Sequence, residues 1–273
     1  MSNVSRNMGP GRPGLALRGA TERRNGRRLA RMSAVIVAAG ATAGMTLGCS
    51  SPAHNAKAGS AGEPHPNLAA LATLGPLKPP PSPGKLGPEY VPVAPGPVLV
   101  GPGRAAKGQP IDGLKCGVME QSEFHIHAHL TIFVNGSPRK VPAAIGIPKA
   151  RVEHISTGEF ASDGTCYYWL HTHAADGIIH TESPARHTYT LGQFFDIWGQ
   201  PLSSTRVGPA AGHVTALYNQ HLYRGDPRRI PLTRMAQVQL EVGTPLVGPE
   251  TIRWPNYLAY PERYMAPPLN GER

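Results

Sequence analysis

The sequence predicts a mainly β fold, a small antiparallel β-sandwich or barrel with one short helix. Three observations carry this. Apolar and polar residues alternate with period two over residues 124–134 and again over 235–242, the pattern of strands with one buried face. Turn-forming pairs, Asn135-Gly136 and Asp176-Gly177, interrupt the apolar runs at hairpin spacing. Helical periodicity is confined to one stretch, Leu191, Phe194, Phe195 and Trp198. With strands outnumbering helices, sheet-on-sheet packing or closure is the way to bury the apolar faces.

The first segment of the chain lies outside that fold. Residues 1–31 contain eight Arg and one Glu, and the apolar run MSAVIVAAGATAGMTLG leads from Met32 to Gly48 and Cys49. A basic stretch, an apolar stretch and then small residues is the order of an export signal. At 17 residues the run is short for a lasting transmembrane helix. Thr46-Leu47-Gly48-Cys49 resembles the lipobox of bacterial lipoproteins, with Leu one position nearer the cysteine than that family prefers. The resemblance implies cleavage of residues 1–48 and lipid on Cys49. It places the protein at the outer side of the bacterial cell membrane, held there by that lipid. Cleavage would remove most of the formal charge of +10, because from Cys49 onward 19 Lys and Arg face 16 Asp and Glu. The argument from a high isoelectric point to nucleic acid therefore fails.

Residues 49–110 read as a tether. Fourteen prolines fall within 50–110 among many Ala and Gly, a composition that favours an extended spacer over a packed core. The folded domain is expected over 111–247, with residues 248–273 as a Pro-rich tail. Cys116 and Cys166 are the remaining thiols. In an exported domain the simplest expectation is a disulfide, contributing about 4 kcal/mol through the unfolded chain. Metal ligation is the alternative.

Within the domain, the strand over 124–134 sets Phe124, Ile126, Ala128, Leu130 and Ile132 on one face and His125, His127, His129 and Thr131 on the other. The chain turns at Asn135-Gly136 and returns through residues 139–147. A second hairpin joins arms at 167–173 and 178–182 through Ala174-Ala175-Asp176-Gly177. A loop of that length sets His173 opposite Ile178 and His171 opposite His180. Trp169, His171, His173, His180 and Glu182 then share a face, with Leu170 and Ile179 turned to the core. Thr190 and Gln193 form a capping box for the helix, which Gly199 ends. HLTIFVN at 129–135 and HVTALYN at 213–219 share His-x-Thr-x-x-x-Asn, the mark of a repeated hairpin unit in which His213 takes the place of His129.

Directly opposed side chains on adjacent strands have Cβ atoms about 5 Å apart, so two imidazoles there can share one ion. His171, His173 and His180 are therefore the expected ligands of a divalent transition metal, zinc or copper. Glu182 is a further ligand or orients one, and His127 and His129 extend the site. The competing reading of these residues is a buried hydrogen-bonded network that titrates near neutral pH. Two histidines on one strand and a third on its neighbour are similar in arrangement to the zinc site of α-type carbonic anhydrases. That similarity implies metal-dependent hydration or hydrolysis, with Glu182 as the base. Three function classes follow. An exported, lipid-anchored metal-handling protein fits best, ahead of a metal-dependent extracytoplasmic enzyme and a cell-envelope interaction module without metal.

Overall fold

The computed structural model describes residues 66–264. The expected export signal, Cys49, the tether up to residue 65 and the last nine residues of the tail lie outside the described residues.

An eight-stranded sheet is the main element. Its strands are β1 (Leu68–Ala69), β2 (Phe124–Val134), β3 (Ser137–Arg139), β4 (Leu170–His171), β5 (Ile178–Ser183), β6 (Val214–Tyr218), β7 (His221–Tyr223) and β8 (Ala236–Val242). They lie in the order β1-β7-β6-β8-β2-β5-β4, with β3 folded back on the end of β2. The fold is mainly β, as expected, but the main sheet is open and not wholly antiparallel. β8 runs parallel to β2, from Ala236 beside Ala128 to Val242 beside Val134. Period-two alternation says which face of a strand is buried and nothing about the direction of its partner.

One face of the sheet carries the large core. Ile126, Ala128, Leu130 and Ile132 of β2 join Leu170, Ile179, Val238 and Leu240 against Phe194, Phe195 and Trp198 of α1 (Leu191–Trp198). That helix starts at the expected capping box, Thr190 accepting from the Gln193 amide, and stops at Gly199 in the left-handed region. The repeated motif is visible as two hairpins, β2–β3 and β6–β7, each turning at an asparagine with positive φ (Asn135 at 50° and Asn219 at 47°). β8 separates β6 from β2, and His213 is exposed, so the repeat does not carry a second histidine site. Cys116 and Cys166 are joined, which pairs Cys116–Gly117 with Tyr167–Tyr168 directly ahead of β4.

Parts of the segments expected to be spacer and tail pack against the folded strands and helix. Gly101 accepts from the Trp198 indole at 2.8 Å, and Val91 is fully buried. Val91 packs with Ile178, Ile252 and Leu258, flanked by Trp254 and Tyr257, in a second, smaller apolar cluster. The tail is held by polar side chains that alternate along β8. Gln237 accepts from the Ile252 amide at 2.7 Å, Gln239 from the Glu250 amide at 2.8 Å, and Glu241 from the Val247 amide at 2.7 Å. Proline removes donors from a strand ladder. It does not prevent the remaining backbone groups from bonding to side chains standing on a sheet, which is how this segment is satisfied.

Candidate metal centre

The histidines meet on the tail-covered face because β5 lies between β2 and β4. Register sets His127 beside His180 and His180 beside His171, one row across three strands. The next row holds His125 beside Glu182, and the row on the other side holds His129 beside Ile178. His173 follows β4 and is fixed by a backbone bond from the Ala161 amide to its carbonyl. The tight turn after it ends at Gly177, whose φ is +86° and where a Cβ would stand 2.5 Å from the Leu130 carbonyl.

Four rings of the cluster have their outward nitrogen tied to a fixed acceptor. His127 Nδ1 donates to the Leu258 carbonyl at 2.7 Å, His171 Nδ1 to the Tyr168 carbonyl at 2.9 Å, and His173 Nδ1 to the Ala161 carbonyl at 2.7 Å. His180 Nε2 donates to Glu89 Oε1 at 2.6 Å. A carbonyl only accepts, so in His127, His171 and His173 these bonds place a proton on Nδ1 and turn Nε2 inward. The inward nitrogens crowd together. His171 Nε2 and His173 Nε2 stand 3.2 Å apart, His127 Nε2 and His180 Nδ1 3.1 Å, and His125 Nε2 and His127 Nε2 3.0 Å. Glu182 Oε1 lies 3.0 Å from His125 Nε2, 3.2 Å from His180 Nδ1 and 3.8 Å from His171 Nε2.

Burial sets the charges. It holds His171 down to about 3, against the pull of Glu182, and keeps His127 well below the usual imidazole range with the help of His180 and His125. His180 goes the other way. Burial opposes its charge, but Glu89 and Glu182 outweigh burial and raise it to about 10. Both carboxylates are correspondingly lowered despite their own burial, Glu89 by His180 and Glu182 by His171, His125 and His180. Without a metal, His127 and His171 are neutral, and His180 is the protonated ring held between two carboxylates.

Two overlapping groups have ligand atoms all within 4.8 Å of one another: His125, His127, His180 and Glu182, and His171, His173, His180 and Glu182. The expected His171, His173, His180 and Glu182 therefore come together, and His127 joins them. His129 does not. Its Nε2 bonds the Asp176 carbonyl at 3.0 Å, burial lowers it to about 4, and it acts as a neutral core histidine that braces the hairpin turn. Its place is taken by His125, which faces Glu182 across the strand pair. Trp169, expected on the same face, packs against the large core instead. His154, His187 and His221 are exposed and belong to neither group.

Glu89 and Glu120 have no counterpart in the sequence expectations. Glu120 Oε1 is 3.1 Å from His173 Nε2, and that contact lowers its carboxyl below the usual range. Both residues sit in irregular segments where no periodicity assigns a face. For His125 a signal existed, since it shares the alternation of His127 and His129. Comparisons of the chain with known protein families, with curated proteins and with solved structures give no match.

Proposed function

We propose that this is an exported, lipid-anchored protein that binds divalent transition metal, zinc or copper, through His127, His171, His173, His180 and Glu182, with His125 completing the set. The observation that carries the reading is the contact between His171 Nε2 and His173 Nε2 at 3.2 Å, with both Nδ1 atoms already committed to carbonyls. Two rings so held turn their Nε2 atoms toward one another, an arrangement that a shared cation would satisfy. Nitrogen and carboxylate donors suit zinc and copper(II). Cys116 and Cys166 are consumed by the disulfide, so neither supplies a thiolate. Tight enclosure favours binding over turnover, because His171, His173, His180 and Glu182 are each at most 7% exposed. The disulfide and the basic, apolar, small-residue, cysteine order at residues 1–49 support export.

Calorimetric titration of the chelator-stripped protein tests the metal reading. Zinc or copper(II) is expected to bind tighter than about micromolar, roughly −8 kcal/mol. The ligands must be deprotonated, so affinity should fall as pH drops through the imidazole range near about 6.5. His171→Ala should bind far more weakly, whereas the exposed His154→Ala and His221→Ala should bind as wild type does. Absence of uptake, or full affinity in His171→Ala, would leave a polar network in place of a metal site. Location is tested separately by mass spectrometry of the native protein, which should begin at an acylated Cys49.

A further inference from the structure

We propose that the centre is dinuclear, with Glu182 bridging two divalent ions and Glu120 serving as the exchangeable ligand of the second. The inference rests on the metal reading above and goes beyond it in stoichiometry and in the residue that controls exchange.

Five imidazoles point a nitrogen inward, whereas a zinc ion normally takes four ligands in all. The contacts divide them into two sets. The first is a closed ring: His125 Nε2 to His127 Nε2 at 3.0 Å, His127 Nε2 to His180 Nδ1 at 3.1 Å, His180 Nδ1 to Glu182 Oε1 at 3.2 Å, and Glu182 Oε1 back to His125 Nε2 at 3.0 Å. A tetrahedral ion with bonds of about 2.0–2.1 Å spaces its ligands about 3.3–3.4 Å apart, so this ring needs only a slight opening to hold one. The second set is an open chain. His171 Nε2 lies 3.8 Å from Glu182 Oε1 and 3.2 Å from His173 Nε2, which lies 3.1 Å from Glu120 Oε1.

His180 is near both sets, but its Nε2 is committed to Glu89, so a single nitrogen remains and it serves one ion. Glu182 has two oxygens. Oε1 is shared among three histidines, while Oε2 is buried without any hydrogen-bond partner on a residue 2% exposed. A buried carboxylate oxygen with no donor is costly. Bridging two ions would give Oε2 the partner it lacks. The two halves also differ in access. The ring is enclosed except for His125, whose side chain is 16% exposed, whereas the Glu120 side chain is 45% exposed on the loop that follows the disulfide-bonded Cys116. Release of Glu120 opens the second position to solvent without disturbing the first.

The test uses the full chain, stripped with chelator, saturated with zinc(II), separated from excess metal and analysed for zinc against amino-acid content. Two zinc ions per chain are expected. Glu120→Gln removes a charge from an exposed loop, and should weaken the second equivalent by about tenfold or more while leaving the first unchanged. Loaded with copper(II), the wild-type chain should give a spin-coupled electron paramagnetic resonance signal rather than two isolated ones. One ion per chain would overturn the dinuclear proposal and leave the metal reading standing, and no ion would overturn both. Two ions with uncoupled spectra would remove the bridge. Unchanged binding of both ions in Glu120→Gln would remove the role of Glu120.

Discussion

His180→Ala is expected to abolish uptake of the ion that His180 ligates and to destabilise the metal-free chain by about 3–5 kcal/mol, the range for removing one partner of a buried charge pair. His180 is the cation of the apo centre, with Glu89 at 2.6 Å from one nitrogen and Glu182 at 3.2 Å from the other. Alanine strands two buried carboxylates at once. The pH dependence identifies the cause. His180 is raised to about 10, above the ordinary imidazole value near about 6.5. Its contribution is therefore fully present below about 6.5 and is lost as pH rises through 10. Glu89 and Glu182 are lowered, so theirs is present above the ordinary carboxylate range near about 4.5 and is lost as pH falls beneath it. The deficit of the variant should be greatest between these limits and should shrink towards acid, where the stranded carboxylates protonate. Urea unfolding in chelator across pH measures it. A loss below about 1 kcal/mol at neutral pH would mean that the ion pairs do not hold the apo fold.

The second large effect is expected from ending the chain after Gly248. This removes Ile252 and Leu258 from the smaller apolar cluster, the Leu258 carbonyl that fixes His127, and the Tyr257 hydroxyl that donates to the Glu89 carbonyl at 2.6 Å. Loss of groups that orient ligands costs about 10- to 100-fold in metal affinity, and truncating a single buried leucine costs about 2–5 kcal/mol. Leu258→Ala separates the two contributions, because it keeps the carbonyl and loses only the side chain. Its stability should fall by that packing cost while its metal affinity stays close to wild type. The truncated chain should lose both, read by calorimetry and by chemical denaturation. Equal affinity in the truncated and full chains would show that the tail is only a cover.

Sequence alone determined the features whose geometry is local. The His171–His180 pairing follows from a four-residue loop and period-two alternation, and the structure has that register. The capping box at Thr190 and the Asn135-Gly136 turn depend on neighbours within a few residues, and both are present. The Cys116–Cys166 bond was legible as the pairing of two thiols within one folded domain. Tertiary structure decided the rest. His127 meets His180 across β2 and β5, a pairing 53 residues apart, and β8 lies parallel to β2. A strand's own alternation encodes which face it buries but neither its partner nor its partner's direction, and those are settled by burial summed over the whole sheet. The same limit explains why His129, on the same face as His127, became a bracing histidine: its row holds Ile178 in place of a ligand. Glu89, Glu120 and the Leu258 carbonyl come from irregular, partly Pro-rich chain. Such segments carry no period from which a face can be read. Their positions are set by the unpaired donors and acceptors that the folded sheet presents to them.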